Sequence, residues 1–195
     1  MDWKQLYASK LKTVEEAVKV IKPGDRVVIG HAVGEPIKLV DTMVDYAVKE
    51  NLSNIELFQQ VDMGHSLYAQ PGMEKHFKLN SLFVGAKTRE CVNSGRGDFT
   101  PCFFYQAPDF YRNIKKPDVV LVTLSVPDAQ GYCSFGVSND YTKPAAEVEG
   151  AKVIAVVNPN MPRALGDSFI HVKDIDVIVE DDTPIPELGL PKIGE

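Results

Sequence analysis

The feature that most constrains the fold is a set of short runs that are apolar at nearly every position. Three of them, 26–30, 119–124 and 152–157, are rich in valine and isoleucine. Runs of this kind are typical of strands buried on both faces, because a strand with one exposed face alternates apolar and polar residues. Segments with helical periodicity separate the runs. We therefore predict an α/β fold with an open, mostly parallel sheet and helices on both faces.

Capping and breaking residues predict where the helices begin and end. Thr13 and Glu16 form a capping box, so we expect a helix that begins there and ends before Pro23. Pro36 fits the first turn of a second helix, which ends near residue 51. The predicted buried face of that second helix consists of Ile37, Val40, Met43, Val44, Ala47 and Val48.

Composition and hydrophobic patterning predict the secondary structure of the remaining segments. Further strands are predicted at 55–61, 79–84 and 176–179, and 141–149 is predicted to be helical. Region 95–113 is rich in aromatic residues, glycine and proline. Because glycine and proline interrupt both helices and strands, this region is predicted to be irregular.

Charge and cysteine usage exclude several classes of protein. The 195 residues carry a net charge of -6 and no basic stripe, which argues against nucleic-acid binding. No apolar run approaches the roughly 20 residues of a membrane span, and the first residues lack the layout of a signal peptide, so we expect the cytoplasm. Cys91, Cys102 and Cys133 form no CxxC pair, and the histidines lack ligand spacing. No disulfide and no metal site is predicted.

Two loops at the ends of apolar strands are the first candidates for a ligand site. Segment 125–136 turns at Pro127 and Gly131 directly after strand 119–124, and loop 30–35 joins a strand to a helix. Ligands of open α/β sheets bind at the carboxyl ends of strands. Glycines beside a helix N-terminus suit a phosphate, a carboxylate or an oxyanion, and the alternative is a simple connecting turn. The candidate binding residues of this loop are Gly30, His31, Ala32, Val33 and Gly34.

Several single residues have both a functional and a structural interpretation. His31 could orient or protonate a substrate, although a lone histidine is more often a structural donor. Glu35 could act as a nucleophile, but we favour a carboxylate that complements the helix dipole. Met63, Gly64 and His65 follow the next predicted strand and could join the site wall, the alternative for His65 being an ordinary surface position.

Cys133 and a group of aromatic residues also have both a functional and a structural interpretation. Cys133 could be a nucleophile, but no neighbouring base is evident, so we favour a small buried side chain. The aromatic residues could cradle an adenine or a pantetheine arm, and we favour a satellite core or a subunit interface. These aromatic residues are Phe99, Phe103, Phe104, Tyr105, Phe110 and Tyr111.

Three groups of residues, taken in their order along the chain, are typical of one protein family. They are 2–7 together with 27–36, then 125–136, and then 158–171. In this order they resemble the amino-terminal half of the acetyl-CoA hydrolase/transferase family, most closely its branch of 4-hydroxybutyrate and butyrate:acetate CoA-transferases. Each segment is weak alone, but the ordered set spans nearly the whole chain. The resemblance implies the open α/β domain that these enzymes share with sugar-phosphate isomerases.

The resemblance also implies a reaction. Such enzymes move coenzyme A between an acyl-CoA, such as 4-hydroxybutyryl-, butyryl- or acetyl-CoA, and a free carboxylate such as acetate. A glutamate attacks the thioester and gives an acyl-glutamyl anhydride, which passes through a glutamyl-CoA thioester. That glutamate lies in a carboxy-terminal domain, and no glutamate here, Glu35 included, matches its motif. The resemblance thus implies a CoA thioester as substrate and no tightly bound cofactor.

The same resemblance divides the chain and adds site residues. Residues 1–180 are expected to form the α/β domain, and 181–195, rich in proline and glycine, a linker toward the missing carboxy-terminal domain. The loop around His31 and Gly34 is expected to face the active-site cleft. Further candidates come from a matching family segment and are Asn160, Met161 and Arg163. These three residues either bind substrate or brace the fold.

Other functions stay open at this point. The chain could be a non-catalytic subunit that binds an acyl-CoA or docks a partner, or an acyl-CoA hydrolase. A sugar-phosphate isomerase is less favoured, because it needs a carboxylate pair near a phosphate loop, which the sequence does not offer. An incomplete domain is expected to expose an apolar face, and we expect a homo-oligomer.

Overall fold

Seven parallel strands form the main sheet of the structure, a computed structural model that describes residues 2–190 and 194. The described residues contain nine strands, of which β6 and β8 form a separate two-stranded sheet. The nine are β1 (Arg26–Ile29), β2 (Ile55–Gln59), β3 (Phe77–Ser81), β4 (Asp98–Phe99), β5 (Val119–Leu124), β6 (Tyr132–Ser134), β7 (Lys152–Val157), β8 (Phe169–His171) and β9 (Val177–Glu180). The order in the main sheet is β4-β3-β2-β1-β5-β7-β9, with every neighbouring pair parallel. The predicted open, parallel sheet is confirmed.

The predicted strands are found, with some changes in their bounds. β5 and β7 have the predicted bounds, whereas β2 ends two residues earlier, at Gln59. β3 ends at Ser81, because the Ser81 hydroxyl donates to the carbonyl of Phe83 at 2.7 Å in a turn that leaves the sheet. The prediction over 79–84 was wrong for residues 82–84, which lie outside β3, although the N–H of Leu82 still donates to the carbonyl of Gln59 at 3.0 Å.

Six short or medium helices accompany the sheet. They are α1 (Trp3–Lys10), α2 (Val14–Ala17), α3 (Ile37–Lys49), α4 (Arg89–Asn93), α5 (Ala107–Asp109) and α6 (Thr142–Ala146), counted within residues 2–190. The predicted capping box is present, with Thr13 and Glu16 each bonding the backbone N–H of the other. No periodicity predicts α1, since none of its residues is buried. No helix of the described chain is long and apolar enough to cross a bilayer.

The helix α3 differs in detail from its prediction. Pro36 precedes the helix as its N-cap residue instead of lying in its first turn. Val48 is exposed and Ile37 is only half-buried, so the buried face lacks both ends of the predicted one. The buried residues of α3 are Leu39, Val40, Met43, Val44 and Ala47. Similarly, α6 covers only five of the nine residues predicted at 141–149.

The region predicted to be irregular contains regular structure. A 3-10 turn (Phe104–Gln106), α5 and a π-turn (Phe110–Ile114) form one helical stretch. The ring of Phe58 packs against those of Phe110 and Tyr111, with centroids 5.8 and 6.0 Å apart. Tertiary packing of these aromatic rings stabilises the helical turns, which glycine and proline content alone did not predict.

Both faces of the sheet are buried. In β1, Val27 and Ile29 lie in one core with residues of α2 and α3, whereas Val28 lies in a second core with residues of α5 and α6. In β5, Leu121 and Val122 divide between the two cores in the same way. This alternation confirms the prediction of helices on both faces, because each strand presents successive side chains to opposite sides.

The segment 125–136 returns along the end of β5 into a small ribbon that the sequence did not predict. The N–H of Ser125 donates to the carbonyl of Ser134 at 2.8 Å, and the N–H of Ser134 donates to the Ser125 hydroxyl at 2.9 Å. The strand β6, to which Ser134 belongs, pairs antiparallel with β8. Segment 125–136 is therefore a folded structural unit at the carboxyl edge of the sheet.

The predicted linker begins as an extended segment on this same edge. Residues 181–190 contain no helix or strand. The side-chain amides of Asn158 and Asn160 donate to the carbonyls of Thr183 and Asp182 at 2.8 and 2.7 Å. The start of the segment is thus fixed to the loop after β7. Residues 191–193 and 195 of the predicted linker lie outside the described residues.

The central position of β5 leads to a stability prediction. Leu121 is fully buried, and Leu121→Ala should lower the free energy of unfolding by about 2–5 kcal/mol, because truncation leaves a cavity. Denaturant titration measures the loss. Leu165, which is 84% exposed, supplies the control Leu165→Ala, expected to change stability by less than about 0.5 kcal/mol. Equal losses in both variants would contradict the burial of β5.

Candidate active site

The order of the sheet creates a crevice between the loops that follow β1 and β5. From β1 the chain continues through β2, β3 and β4 toward one edge, and from β5 through β7 and β9 toward the other. Loops on the two sides of such a reversal diverge, and ligands of open α/β sheets bind between them. The two loops predicted to bind a ligand, 30–35 and 125–136, follow these two strands.

Most backbone N–H groups of loop 30–35 already donate to acceptors within the protein. The backbone N–H groups that donate within the protein include those of Gly30, His31, Ala32, Gly34 and Glu35. A side chain at Gly34 would collide with Ser138, so this glycine serves close packing. Val33 is half-buried in the 3-10 turn of the loop. An anion cradle made of the five N–H groups is therefore excluded, and a ligand must contact side chains instead.

His31 is held through both its backbone and its ring. The Ser138 hydroxyl accepts from the His31 N–H at 3.1 Å and donates to the His31 carbonyl at 3.0 Å. The ring Nδ1 lies 2.7 Å from Oδ2 of Asp140. The ring also lies near Phe104 and Tyr141, with centroids 5.3 and 5.5 Å away. With its side chain 18% exposed, His31 has one fixed orientation.

A cavity of about 270 Å³ opens beside the His31 ring. Its lining residues follow β1, β2, β3 and β4, and they are His31, Gln60, Val61, Leu82, Phe83, Cys102 and Phe104. Gln60 is 5% exposed, and its side chain belongs to this lining. The cavity thus combines apolar walls with two polar groups, the His31 ring and the Gln60 amide.

Glu35 joins the loop after β1 to the loop after β2. Its Oε2 accepts from the N–H groups of Met63 and Gly64 at 2.7 and 2.9 Å, a contact that the sequence analysis did not predict. Burial raises the pKa of the Glu35 carboxyl, while these two donors and the Lys87 ammonium oppose the rise. A carboxylate that is 4% exposed and bonded in this way is a poor nucleophile.

Met63, Gly64 and His65 are separated from the His31 cavity. The Cα of Gly64 packs against Glu35, because an added Cβ would lie 2.6 Å from its Oε1. The side chain of His65 is 68% exposed and lies 2.7 Å from Asp41. His65 and Glu35 line a second cavity of about 410 Å³ near the start of α3 and residues 181–186. The structure therefore does not bring His65 and His31 together.

Residues 160–163 pack against the ribbon. Met161 is buried and fills the space beside Gly136, where a side chain would collide with it. Arg163 donates to the carbonyl of Tyr132 at 3.0 Å and lies over the ring of Phe169, 4.6 Å from its centroid. These contacts correspond to the bracing alternative. Together with the Asn160 bond to residue 182, they direct the segment away from the His31 cavity.

The cysteines and the possible metal ligands match the sequence predictions only in part. Cys133 is buried as expected, and burial raises the pKa of its thiol to about 12. Cys102 lines the His31 cavity, and burial raises the pKa of its thiol. Neither thiol is activated as a nucleophile. Among the described residues, no cluster of three histidine, cysteine or acidic side chains could hold a metal ion.

The amino-acid sequence matches one family model over nearly all of its length. Residues 1–188 match the acetyl-CoA hydrolase/transferase N-terminal domain. The chain belongs to this family. The resemblance carried by residues 27–36, 125–136 and 158–171 is thereby confirmed.

Relatives of this acetyl-CoA hydrolase/transferase domain are CoA-transferases. The 4-hydroxybutyrate coenzyme A transferase of Clostridium kluyveri is 54% identical over 196 residues, which cover 100% of this chain and 45% of that protein. The butyryl-CoA:acetate CoA-transferase of Anaerostipes caccae is 33% identical and is matched over 97% of this chain and 43% of its own length. The chain spans less than half the length of these curated relatives.

Solved structures of the family have the same fold. RipA from Yersinia pestis superimposes with a TM-score of 0.92 at 29% identity, over 99% of this chain and 47% of that one. The 4-hydroxybutyrate CoA-transferase of Porphyromonas gingivalis gives a TM-score of 0.78 at 35% identity, over 96% of this chain and 43% of that one. The predicted fold class is confirmed by both.

The family domain contains site residues that the sequence analysis did not single out. Ser138 and Asp140 hold His31, and Gln60 shares its cavity. Ser138 and Asp140 follow segment 125–136 closely, and that position was the available signal for them, because polar residues past a strand end face the ligand edge. Gln60 is the first residue after β2, but the strand predicted over 55–61 included it, so no such signal existed for Gln60.

The buried Glu35 carboxyl predicts a pH dependence with a definite sign. Because its pKa is raised in the folded state, the folded protein retains a proton that the unfolded chain releases. The contribution to stability is complete below the ordinary pKa of glutamate and is lost as pH rises through the raised value. Glu35→Gln should flatten this part of the profile, measured as the free energy of unfolding between about pH 4 and pH 7.

A second variant controls for the loss of one negative charge. Glu149 is exposed, so Glu149→Gln should leave the shape of the profile unchanged. A profile of Glu35→Gln that runs parallel to that of the wild type would contradict the burial of the Glu35 carboxyl.

Proposed function

We propose that this chain is the amino-terminal part of a CoA-transferase that moves coenzyme A between an acyl-CoA and a free carboxylate. The acyl-CoA is 4-hydroxybutyryl-, butyryl- or acetyl-CoA, and the acceptor is a short carboxylic acid such as acetate. The observation that carries this proposal is the cavity beside His31 at the carboxyl edge of β1, in a domain of the acetyl-CoA hydrolase/transferase family. A volume of about 270 Å³ suits a short acyl group.

The role proposed for this half is to bind and orient the acyl group. Val61, Leu82 and Phe83 offer apolar contact to a short alkyl chain, and His31 offers a polar group at a fixed position. Positioning of this kind lowers the barrier because it converts encounter of two groups into a reaction within one complex. Gly30 to Gly34 support the proposal as the packed base of this wall, whereas Met63 to His65 lie outside it, with His65 on the second cavity.

The nucleophile is proposed to come from the remaining part of the polypeptide. Its glutamate carboxylate attacks the thioester carbonyl and expels the CoA thiolate. The product is an acyl-glutamyl anhydride. The thiolate then attacks the glutamyl carbonyl and expels the acyl group as its carboxylate, which gives glutamyl-CoA. The acceptor carboxylate completes the transfer by the reverse steps. Glu35 does not take this part, since it is buried against Met63 and Gly64.

An exposed aromatic surface supports a partner at this edge. We define it as Phe83, Phe99, Phe103, Phe104 and Tyr105, all at least half exposed. Phe103 and Tyr105 stack at 5.8 Å, with 70% and 76% of their surfaces exposed. Since large contiguous apolar patches mark interaction sites, the proposed occupant is the carboxy-terminal domain, with residues 181–195 as the linker to it. A homo-oligomer in the cytoplasm completes the proposal.

The division of labour predicts that the chain alone is inactive. Incubation with butyryl-CoA and labelled acetate should give no exchange, because the proposed nucleophilic glutamate lies outside this chain. Addition of the part of the Clostridium kluyveri relative that this chain does not cover should restore exchange. Robust exchange by the isolated chain would overturn the assignment of the nucleophile, and release of free CoA without exchange would favour a hydrolase.

The aromatic surface predicts a contact with that added part. Tyr105→Ser should weaken complementation, measured as the concentration needed for half-maximal exchange, by about tenfold or more, because exposed aromatic side chains often dominate interfaces. Leu165→Ser is the control, since Leu165 is 84% exposed but lies outside the aromatic surface. If Tyr105→Ser reduces self-association and leaves complementation unchanged, the surface joins copies of this chain.

A further inference from the structure

Lys87 and Glu35 bind the same two residues in the loop after β2. Oε2 of Glu35 accepts from the N–H groups of Met63 and Gly64 at 2.7 and 2.9 Å. The Lys87 ammonium donates to the carbonyls of both residues, at 2.8 Å to that of Met63. Each backbone N–H and C=O of residues 63 and 64 is therefore bonded to a side chain from another loop. We call Glu35, Lys87 and these two residues the loop clamp.

The loop clamp joins loops that follow three adjacent strands. Glu35 follows β1, residues 62–64 follow β2 and Lys87 follows β3. These strands lie side by side in the order β3-β2-β1. The loops are also in close contact, because a Cβ at Gly85, in the loop after β3, would lie 2.8 Å from Oδ1 of Asp62. Hydrogen bonds to charged side chains, which are the stronger ones, thus hold the three loops together at the carboxyl edge of the sheet.

The loop after β2 needs such support, because it contains a strained residue. Ser66 has a φ of 50° and lies in the left-handed region, which residues other than glycine adopt at a cost. Its hydroxyl donates to Oδ2 of Asp62 at 2.6 Å. A strained conformation persists where the surrounding contacts fix it. The loop clamp supplies such contacts for the residues between Asp62 and Ser66.

The same three loops line the cavity beside His31. Their lining residues are His31, Gln60, Val61, Leu82 and Phe83. The carbonyl of Val61, which lies just before the loop clamp, accepts from the N–H of Ala32 at 2.9 Å. The N–H of Leu82 donates to the carbonyl of Gln59 at 3.0 Å. Because the loops are bonded to one another in this way, a shift of residues 63 and 64 would move part of the cavity wall.

The charge of Lys87 is part of the interaction. Burial raises the pKa of the Glu35 carboxyl and Asp62 raises it further, whereas the Lys87 ammonium lowers it. Lys87 therefore stabilises the ionised form of Glu35 and bonds to the carbonyls of the same loop. An uncharged side chain of similar length, such as methionine, would lose both contributions. Arginine keeps a positive charge and several N–H donors.

We propose that Lys87 is a positioning residue, which fixes Gln60 and Val61 in the wall of the His31 cavity and thereby sets how well that cavity binds a short alkyl chain. Within residues 2–190 the lining of the cavity does not include Lys87, so Lys87 acts through the backbone of residues 63 and 64. The effect on alkyl binding rests on the proposed function and deepens it. The effect of Lys87 on the loop after β2 stands on the hydrogen bonds alone and is tested separately.

The effect on the loop is measured on the chain as it stands, by hydrogen exchange followed with NMR. Lys87→Met should raise the exchange rates of the Met63 and Gly64 amides about tenfold or more, because bonds to a charged group are lost. Lys87→Arg should retain most of the protection. Lys75→Met is the control, since Lys75 is exposed and precedes β3 at the opposite edge of the sheet. Unchanged exchange in Lys87→Met would overturn the proposal.

The effect on the cavity is measured in the complex with the added part of the Clostridium kluyveri relative. With 4-hydroxybutyryl-CoA as donor, butyrate and labelled acetate are compared as acceptors. The ratio of kcat/KM for butyrate to that for acetate should fall about tenfold in Lys87→Met, because the two further methylene groups of butyrate lose their contact with the wall. The change should appear mainly in the KM for butyrate, since the wall binds the alkyl chain before and during the reaction alike.

Two comparisons separate positioning from a purely structural role. Lys87→Arg should restore the ratio, and Lys75→Met should leave it unchanged. Equal losses for both acceptors in Lys87→Met would assign Lys87 a purely structural role and overturn the proposal. If Lys87→Met does not fold, Lys87→Gln, which keeps N–H donors without the charge, should lower the ratio to a smaller extent. Absence of transfer by the wild-type complex would contradict the proposed function, while hydrogen exchange would still decide whether Lys87 holds the loop.

Discussion

The parallel pairing of β1 with β5 is the constraint on which the site depends. The ladder joins Val27 to Val119 and Ile29 to Leu121, and the N–H of Gly30 extends it with a bond to the Leu121 carbonyl at 2.9 Å. A side chain at Gly30 would lie 2.8 Å from the carbonyl oxygen of Gly34. Because Gly30 has no side chain, the chain can turn immediately after β1. His31 therefore lies at the point where the two halves of the sheet diverge.

This tight turn has a chemical consequence. Since the loop satisfies its N–H groups internally, it has few backbone donors left for an anion, unlike the phosphate-binding loops of many α/β folds. Specific recognition then falls to side chains fixed by other segments. Ser138 and Asp140 fix His31 from the segment before α6, so the position of that helix is part of the geometry of the cavity.

The sequence predicts best what depends on local patterns. β5 and β7 are found with their predicted bounds, because strands buried on both faces must be apolar throughout. The contact between His31 and Asp140 spans 109 positions, and no local pattern encodes such a distance. For Arg163 the sequence identified the residue but not its structural role. A family match named it as a candidate, but its role is decided by Tyr132 and Phe169, which only the folded ribbon brings to it.

Residues 103–105, which follow β4, connect the His31 cavity to the aromatic surface. The inner face of this part of the chain is already filled by Phe110 and Tyr111 against Phe58, so Phe103 and Tyr105 cannot turn inward without displacing a packed core. Burial of these two rings thus requires a surface from outside residues 2–190. Phe104 lies between them in sequence and contacts the His31 ring, so the partner proposed above would cover the cavity together with the aromatic surface. In the proposed transferase, such closure would exclude water and protect an activated acyl group from hydrolysis.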